Sequence, residues 1–240
     1  MGDATMFFAQ ESYKPPRGFF AEELSYYIYR PQLPAEGRLP LVLVLHDGQG
    51  MAAAARYLIS RPLRRFYPAY IVVPVLPKGH HWGYPGAEES RFSGRNLRVR
   101  DALALVRDLS ARYPVDAERI YVIGCAEGGY GVFAALAQSA AAPEIAAGVA
   151  LGGGWRLRDA PLVARTPFWA IHHAFDPVYP ASTVRRLVRE VRRHNGTAHY
   201  TEIDDMPQGC QDPRFYINAM WGWLFSQRRA VPEPAIAPSP

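Results

Sequence analysis

Three stretches of this chain are apolar at every position: Leu41-Val42-Leu43-Val44-Leu45, Tyr70-Ile71-Val72-Val73 and Ile120-Tyr121-Val122-Ile123. A strand with one face in water alternates apolar and polar residues, so a run without alternation has both faces covered, as in the middle of a parallel sheet clad by helices. Shorter strands are expected over 148–151, 168–171 and 198–203. Residues 24–29 alternate and read as an antiparallel edge strand. Helical spacing lies between these runs. Val99, Leu103, Val106, Leu109 and Tyr113 step by three or four positions, with Arg98, Asp101, Arg107, Asp108 and Arg112 expected on the outer face. Further helices are expected over 128–139, over 180–194 with a stop at Asn195-Gly196, and over 213–226 with Tyr216, Met220, Trp223 and Leu224 on the buried stripe. Strands and helices in alternation give an α/β fold with a mostly parallel central sheet and helices on both faces.

The chain has 240 residues, 49% of them hydrophobic. That suffices for a single domain with a substantial core. It divides into an N-terminal extension over 1–17, the domain over 18–229 and a Pro-rich tail over 230–240. No stretch approaches the roughly 18 apolar residues of a membrane span, and the first residues lack a basic-then-apolar leader, so a cytoplasmic protein is expected. Two cysteines, Cys125 and Cys210, are too few for a disulfide framework. They read as two buried or half-buried free thiols. Neither they nor the histidines have metal-ligand spacing, and no metal or cofactor is expected. The net charge of +5 is modest. Its densest run, Arg185, Arg186, Arg189, Arg192 and Arg193, falls on the outside of a helix whose inner face is Val184, Leu187, Val188 and Val191. Without aromatic interleaving this reads as a solvated face, not a nucleic-acid site.

The chemistry concentrates where the third apolar run ends, at Gly124-Cys125-Ala126-Glu127-Gly128-Gly129. A sharp strand-to-helix turn between small residues is the setting in which G-x-S-x-G presents a nucleophilic serine. Here the central residue is Ala126, whose methyl group can neither attack a carbonyl nor be activated by a base. Tyr29-Arg30-Pro31, then His46-Asp47-Gly48, then 116–121, then this corner, then Asp176-Pro177-Val178-Tyr179-Pro180 and Trp223-Leu224-Phe225-Ser226-Gln227 follow one another in an order that resembles the esterase branch of the α/β-hydrolase superfamily, near the polyhydroxybutyrate depolymerases and feruloyl esterases.

The resemblance implies a set of roles. The turn after the first central strand places Gly48 as one oxyanion-hole donor, and the N–H of Glu127 as the other. Asp47 and the Glu127 side chain would make that hole more acidic. Asp176 corresponds to the triad acid. Counting back from Asp212-Pro213, the catalytic histidine position falls on Gln208, whose amide can donate a hydrogen bond but cannot take up a proton near neutral pH. Losing nucleophile or base costs on the order of 10⁶ in turnover in a serine protease. The resemblance therefore implies an esterase-like body that lacks the serine and the histidine. It would bind a small ester or acyl ligand, or a protein partner, without touching nucleic acid or membrane; which ligand, which partner and what oligomeric state stay open. The alternative is an active carboxylic-ester hydrolase with displaced residues. His46, Asp47, His81, Trp82, Cys125, His173 and Cys210 are the candidate pocket residues, with His173 the candidate substitute base. Cys125 and Cys210 flank the two vacated positions.

Overall fold

The computed structural model describes residues 4–15, 23–32, 37–47, 52–83, 98–140, 144–206 and 209–229. Within them, strands β1 (Ala9–Tyr13), β2 (Leu24–Tyr29), β3 (Leu39–Leu45), β4 (Tyr70–Pro74), β5 (Val115–Cys125), β6 (Ala147–Leu151), β7 (Phe168–His173) and β8 (Ala198–Ile203) form one sheet. The spatial order is β1-β2-β4-β3-β5-β6-β7-β8. All pairings are parallel except β1 with β2 and β2 with β4.

The apolar runs are the inner strands, and the period of two divides their side chains between two cores. Leu41, Leu43, Leu45, Ile120 and Val122 face one cluster, built with helices α3 (Val99–Arg112), α4 (Glu127–Ser139), α5 (Ala160–Val163) and α6 (Ala181–Arg193). Val42, Val44, Tyr121 and Ile123 face the other, under α1 (Ala53–Leu58) and α7 (Asn218–Ser226). A short α2 (Arg61–Phe66) follows α1. Both faces of the sheet are dry, which is why these strands do not alternate.

Four expectations change. β2 is antiparallel but not at the edge, because β1 covers its outer side. Arg98 and Asp101 are not on the outer face of α3; both are fully buried and pair with each other, Nε to Oδ2, at 2.6 Å. A buried charge is tolerated only beside its opposite, so the two enter the core together. The last helix is broken: Pro213–Phe215 forms a tight 3-10 turn and α7 starts only at Asn218, with Met220, Trp221 and Leu224 buried. The cysteines are not free thiols. Cys125 and Cys210 are joined by a disulfide.

Helix α6 keeps its expected inner face of Val184, Leu187, Val188 and Val191. Its arginines are partly engaged at home: Arg185 makes two hydrogen bonds to Glu202 at 2.6 and 2.7 Å, and Arg192 donates to the Ala198 carbonyl. Among the described residues no helix is long and apolar enough to cross a membrane.

Candidate active site

The corner at Ala126 is shaped by close backbone contacts. Ala126 has φ 54° and ψ −113°, a conformation that costs a non-glycine residue of order 1–3 kcal/mol and persists only where its surroundings enforce it. Two glycines do the enforcing. A Cβ on Gly124 would lie 2.2 Å from the Gly128 carbonyl oxygen, and one on Gly128 would lie 2.0 Å from that of Leu45. The strand, the turn and the first turn of α4 therefore press together with no room for side chains. The Ala126 N–H donates to the Leu151 carbonyl at 2.8 Å. The same hand-over recurs along the sheet edge, from Gly152 to Ile171 and from Ala174 to Ile203, each at 2.8 Å. The ends of β5, β6, β7 and β8 are thus locked side by side, which gathers the loops carrying the candidate residues.

Glu127 opens α4, where backbone N–H groups of the first turn have no intrahelical acceptor. Its N–H, the expected oxyanion-hole donor, is the first of that turn. Its carboxylate is turned elsewhere: Oε1 lies 2.9 Å from His81 Nδ1 and accepts the Trp82 N–H at 3.3 Å. Gly48, the other expected donor, lies outside the described residues. His46 is a scaffold residue, 5% exposed, whose Nε2 accepts the Leu76 N–H at 2.9 Å. Burial pushes its pKa down and keeps it neutral. Trp82 does not line a pocket mouth; it is wholly buried and its indole N–H donates to the His46 carbonyl at 2.9 Å. His81, beside it, is half-exposed.

Asp176 lies in the loop after β7. Its Oδ1 accepts the N–H groups of Val178 and Tyr179, both at 2.9 Å, which folds the Asp-Pro-Val-Tyr turn around its own carboxylate. Its Oδ2 is 3.9 Å from His172 Nε2, beyond hydrogen-bonding reach. That ring nitrogen donates instead to the Tyr179 carbonyl at 2.6 Å. His172 is fully buried and kept neutral by desolvation.

His173 does not face Asp176 at all. Its Nε2 donates to Asp212 Oδ2 at 2.9 Å, with both side chains 1% exposed. Arg214 closes on the same carboxylate from Nε and Nη2, and Asp212 Oδ1 accepts the Arg214 N–H as the cap of the 3-10 turn. The Arg214 guanidinium, with these N–H donors, holds the Asp212 carboxyl down at about 2. The sequence pointed to Asp212 only as a landmark for counting; its Asp-Pro-Arg setting is a helix-start signal, but the partner at residue 173 is not encoded nearby. Gln208 lies outside the described residues.

Cys125 and Cys210 bring the corner and the segment after β8 together, with their Cα atoms 5.8 Å apart. A cavity of about 280 Å³ opens beside the bridge, lined by His46, Asp47, Ala53, Gly124, both cysteines and Tyr216. Tyr216 stacks on Tyr57 with ring centres 4.2 Å apart, and its hydroxyl donates to the Cys210 carbonyl at 2.7 Å. No group of three or more His, Cys, Asp or Glu side chains able to hold a metal occurs among the described residues.

The fold matches those of solved structures. A thermostable esterase superposes with a TM-score of 0.82 at 23% identity, over 94% of this chain and 64% of the esterase. The chain has the α/β-hydrolase fold. A ferulic acid esterase shares it at TM-score 0.65 and 11% identity, over 91% of this chain and 97% of that one. An acylaminoacyl peptidase from Pyrococcus horikoshii does so at 0.67 and 17%, over 91% of this chain. The chain spans less than two thirds of the thermostable esterase and 41% of the peptidase. No protein-family profile and no curated relative matches it.

Proposed function

We propose that this α/β-hydrolase chain is a catalytically degenerate esterase, holding a small ester or acyl ligand, or a protein partner, without cleaving it. The reading is carried by one observation: the strained corner that in an esterase presents the nucleophile is fully built, and the side chain on it is a methyl group. Strain of this kind is kept where a site uses it or where the surrounding packing depends on it. Asp176 and the Glu127 N–H keep the places of acid and oxyanion donor, and the residue aligned with the base is Gln208.

The test is constructive. The natural chain is expected to hydrolyse p-nitrophenyl acetate no faster than buffer, and Ala126→Ser combined with Gln208→His to hydrolyse it measurably faster. Turnover by the natural chain would defeat the proposal. A second reading, an active hydrolase with displaced residues, draws on the His81–Glu127 pair, an imidazole backed by a carboxylate one residue from the vacancy that could activate a water. It requires hydrolysis by the natural chain that His81→Ala abolishes. The cytoplasmic location expected from the sequence carries a consequence of its own: in a reducing compartment the Cys125–Cys210 bridge would stand in exchange with cellular thiols.

A further inference from the structure

The disulfide is a covalently reactive group at the cavity. Both cysteines are half-exposed and line the cavity wall. The segment carrying Cys210 also does not depend on the bridge for its position. Asp212, two residues on, is held by His173 and Arg214; Arg214 also reaches Asp205; and Tyr216 holds the Cys210 carbonyl. Opening the bridge therefore leaves both sulfurs close together, ready to close again.

We propose that Cys125–Cys210 is a thiol–disulfide exchange site, S-thiolated at Cys210 by a small neutral or cationic thiol that enters the cavity. A thiolate attacks Cys210 Sγ; the new sulfur–sulfur bond forms as the Cys125–Cys210 bond breaks, and the electron pair leaves on Cys125 Sγ. Cys125 stands one residue before the cap of α4, whose positive end favours a departing thiolate. Return attack by Cys125 expels the thiol and restores the bridge; a second thiol instead takes the first away as a disulfide and leaves two protein thiols.

The choice of thiol follows from size and charge. About 280 Å³ is room for roughly nine water-sized groups at ~30 Å³ each, enough for a small thiol. Asp47 lines the cavity, and its charge bears on both His46 and Tyr216. Arg56 acts on Tyr216 in the opposite sense but is exposed and outside the lining. An anionic thiol is thus disfavoured relative to a cationic one.

The experiment treats the oxidised full-length chain with cysteamine, 2-mercaptoethanol or 2-mercaptoethanesulfonate at equal thiolate concentration. Samples are quenched in acid and alkylated, and adducts are located by peptide mass. The expected order is cysteamine fastest and the sulfonate slowest, by at least tenfold, with the adduct on Cys210 and the alkyl group on Cys125. Asp47→Asn should shrink that span to less than threefold. Equal rates for the three thiols, a faster sulfonate, an adduct mainly on Cys125, or no adduct without denaturant would each overturn the proposal. If Asp47→Asn fails to fold, the order on the natural chain still decides. No ester enters this assay, so its outcome is separate from that of the proposed ligand-holding role.

Discussion

The corner at Ala126 and the segment from Gly209 to Tyr216 meet at one cavity, and they are held in place differently. The path of the corner is set by backbone packing: a Cβ on Gly124 or Gly128 would collide with the Gly128 or Leu45 carbonyl oxygen. The segment after β8 is instead tied down by side chains: a buried imidazole–carboxylate contact, a guanidinium clamp and the Tyr216 hydroxyl on the Cys210 carbonyl. A turn fixed by backbone packing does not depend on the side chain it presents. A site fixed by side chains can exchange one set of anchors for another.

That contrast can be broken from either side. The largest effect is expected for Gly128→Ala, which puts a methyl group 2.0 Å from the Leu45 carbonyl oxygen; with backbone on both sides there is nothing flexible to yield. We expect a loss of at least about 3 kcal/mol, or no soluble protein, by urea unfolding. Asp212→Ala attacks the other side by leaving His173 buried without its acceptor, and should cost roughly 3 kcal/mol while the corner stays intact. Measuring both variants by hydrogen exchange sharpens the comparison: Gly128→Ala should expose the ends of β5 to β8, and Asp212→Ala chiefly residues 209–217.

Acid probes the buried groups around the cavity as well. The Asp212 carboxyl sits at about 2, below its ordinary value of 3.8, so its stabilisation is fully present above about pH 4 and is lost as pH falls through about 2. One unit is about 1.4 kcal/mol, so roughly 2 kcal/mol of acid sensitivity should disappear in Asp212→Asn. His46 and His172 are held neutral by burial, so stability should begin to fall as pH drops below about 6.5, where the unfolded imidazoles take protons and the folded ones do not. His172→Gln should flatten part of that slope in thermal melts taken from pH 7.5 to pH 5. The smallest effect is expected for Ala126→Gly. Relief of the strained φ should outweigh the added chain entropy and raise stability by about 1 kcal/mol; a loss would mean that the Ala126 methyl group makes contacts worth more than its strain.

The sheet and its order of elements were readable because the signal is local. Runs such as Leu41 to Leu45 declare two-sided burial within five residues, and the Val99 to Leu109 stripe declares its helix in three turns. The corner was readable for the same reason, being six consecutive residues. What escaped depends on partners far along the chain. β1, Ala-Gln-Glu-Ser-Tyr, is mostly exposed and becomes a strand only through β2. Arg98 and Asp101 look like surface charges until each is seen beside the other. Cys125 and Cys210 are 85 positions apart, and His173 meets an aspartate 39 positions away; no spacing rule predicts either. The break before α7 was in principle visible, since Asp212-Pro213 is a start signal that the longer apolar pattern overrode.

The bridge between residues 125 and 210 also turns everything between them, from α4 through β8, into a covalent ring. A protease that nicks an exposed stretch of it, for instance at Arg158, would leave two pieces that still migrate as one on a non-reducing gel. Only after a reductant is added would they part.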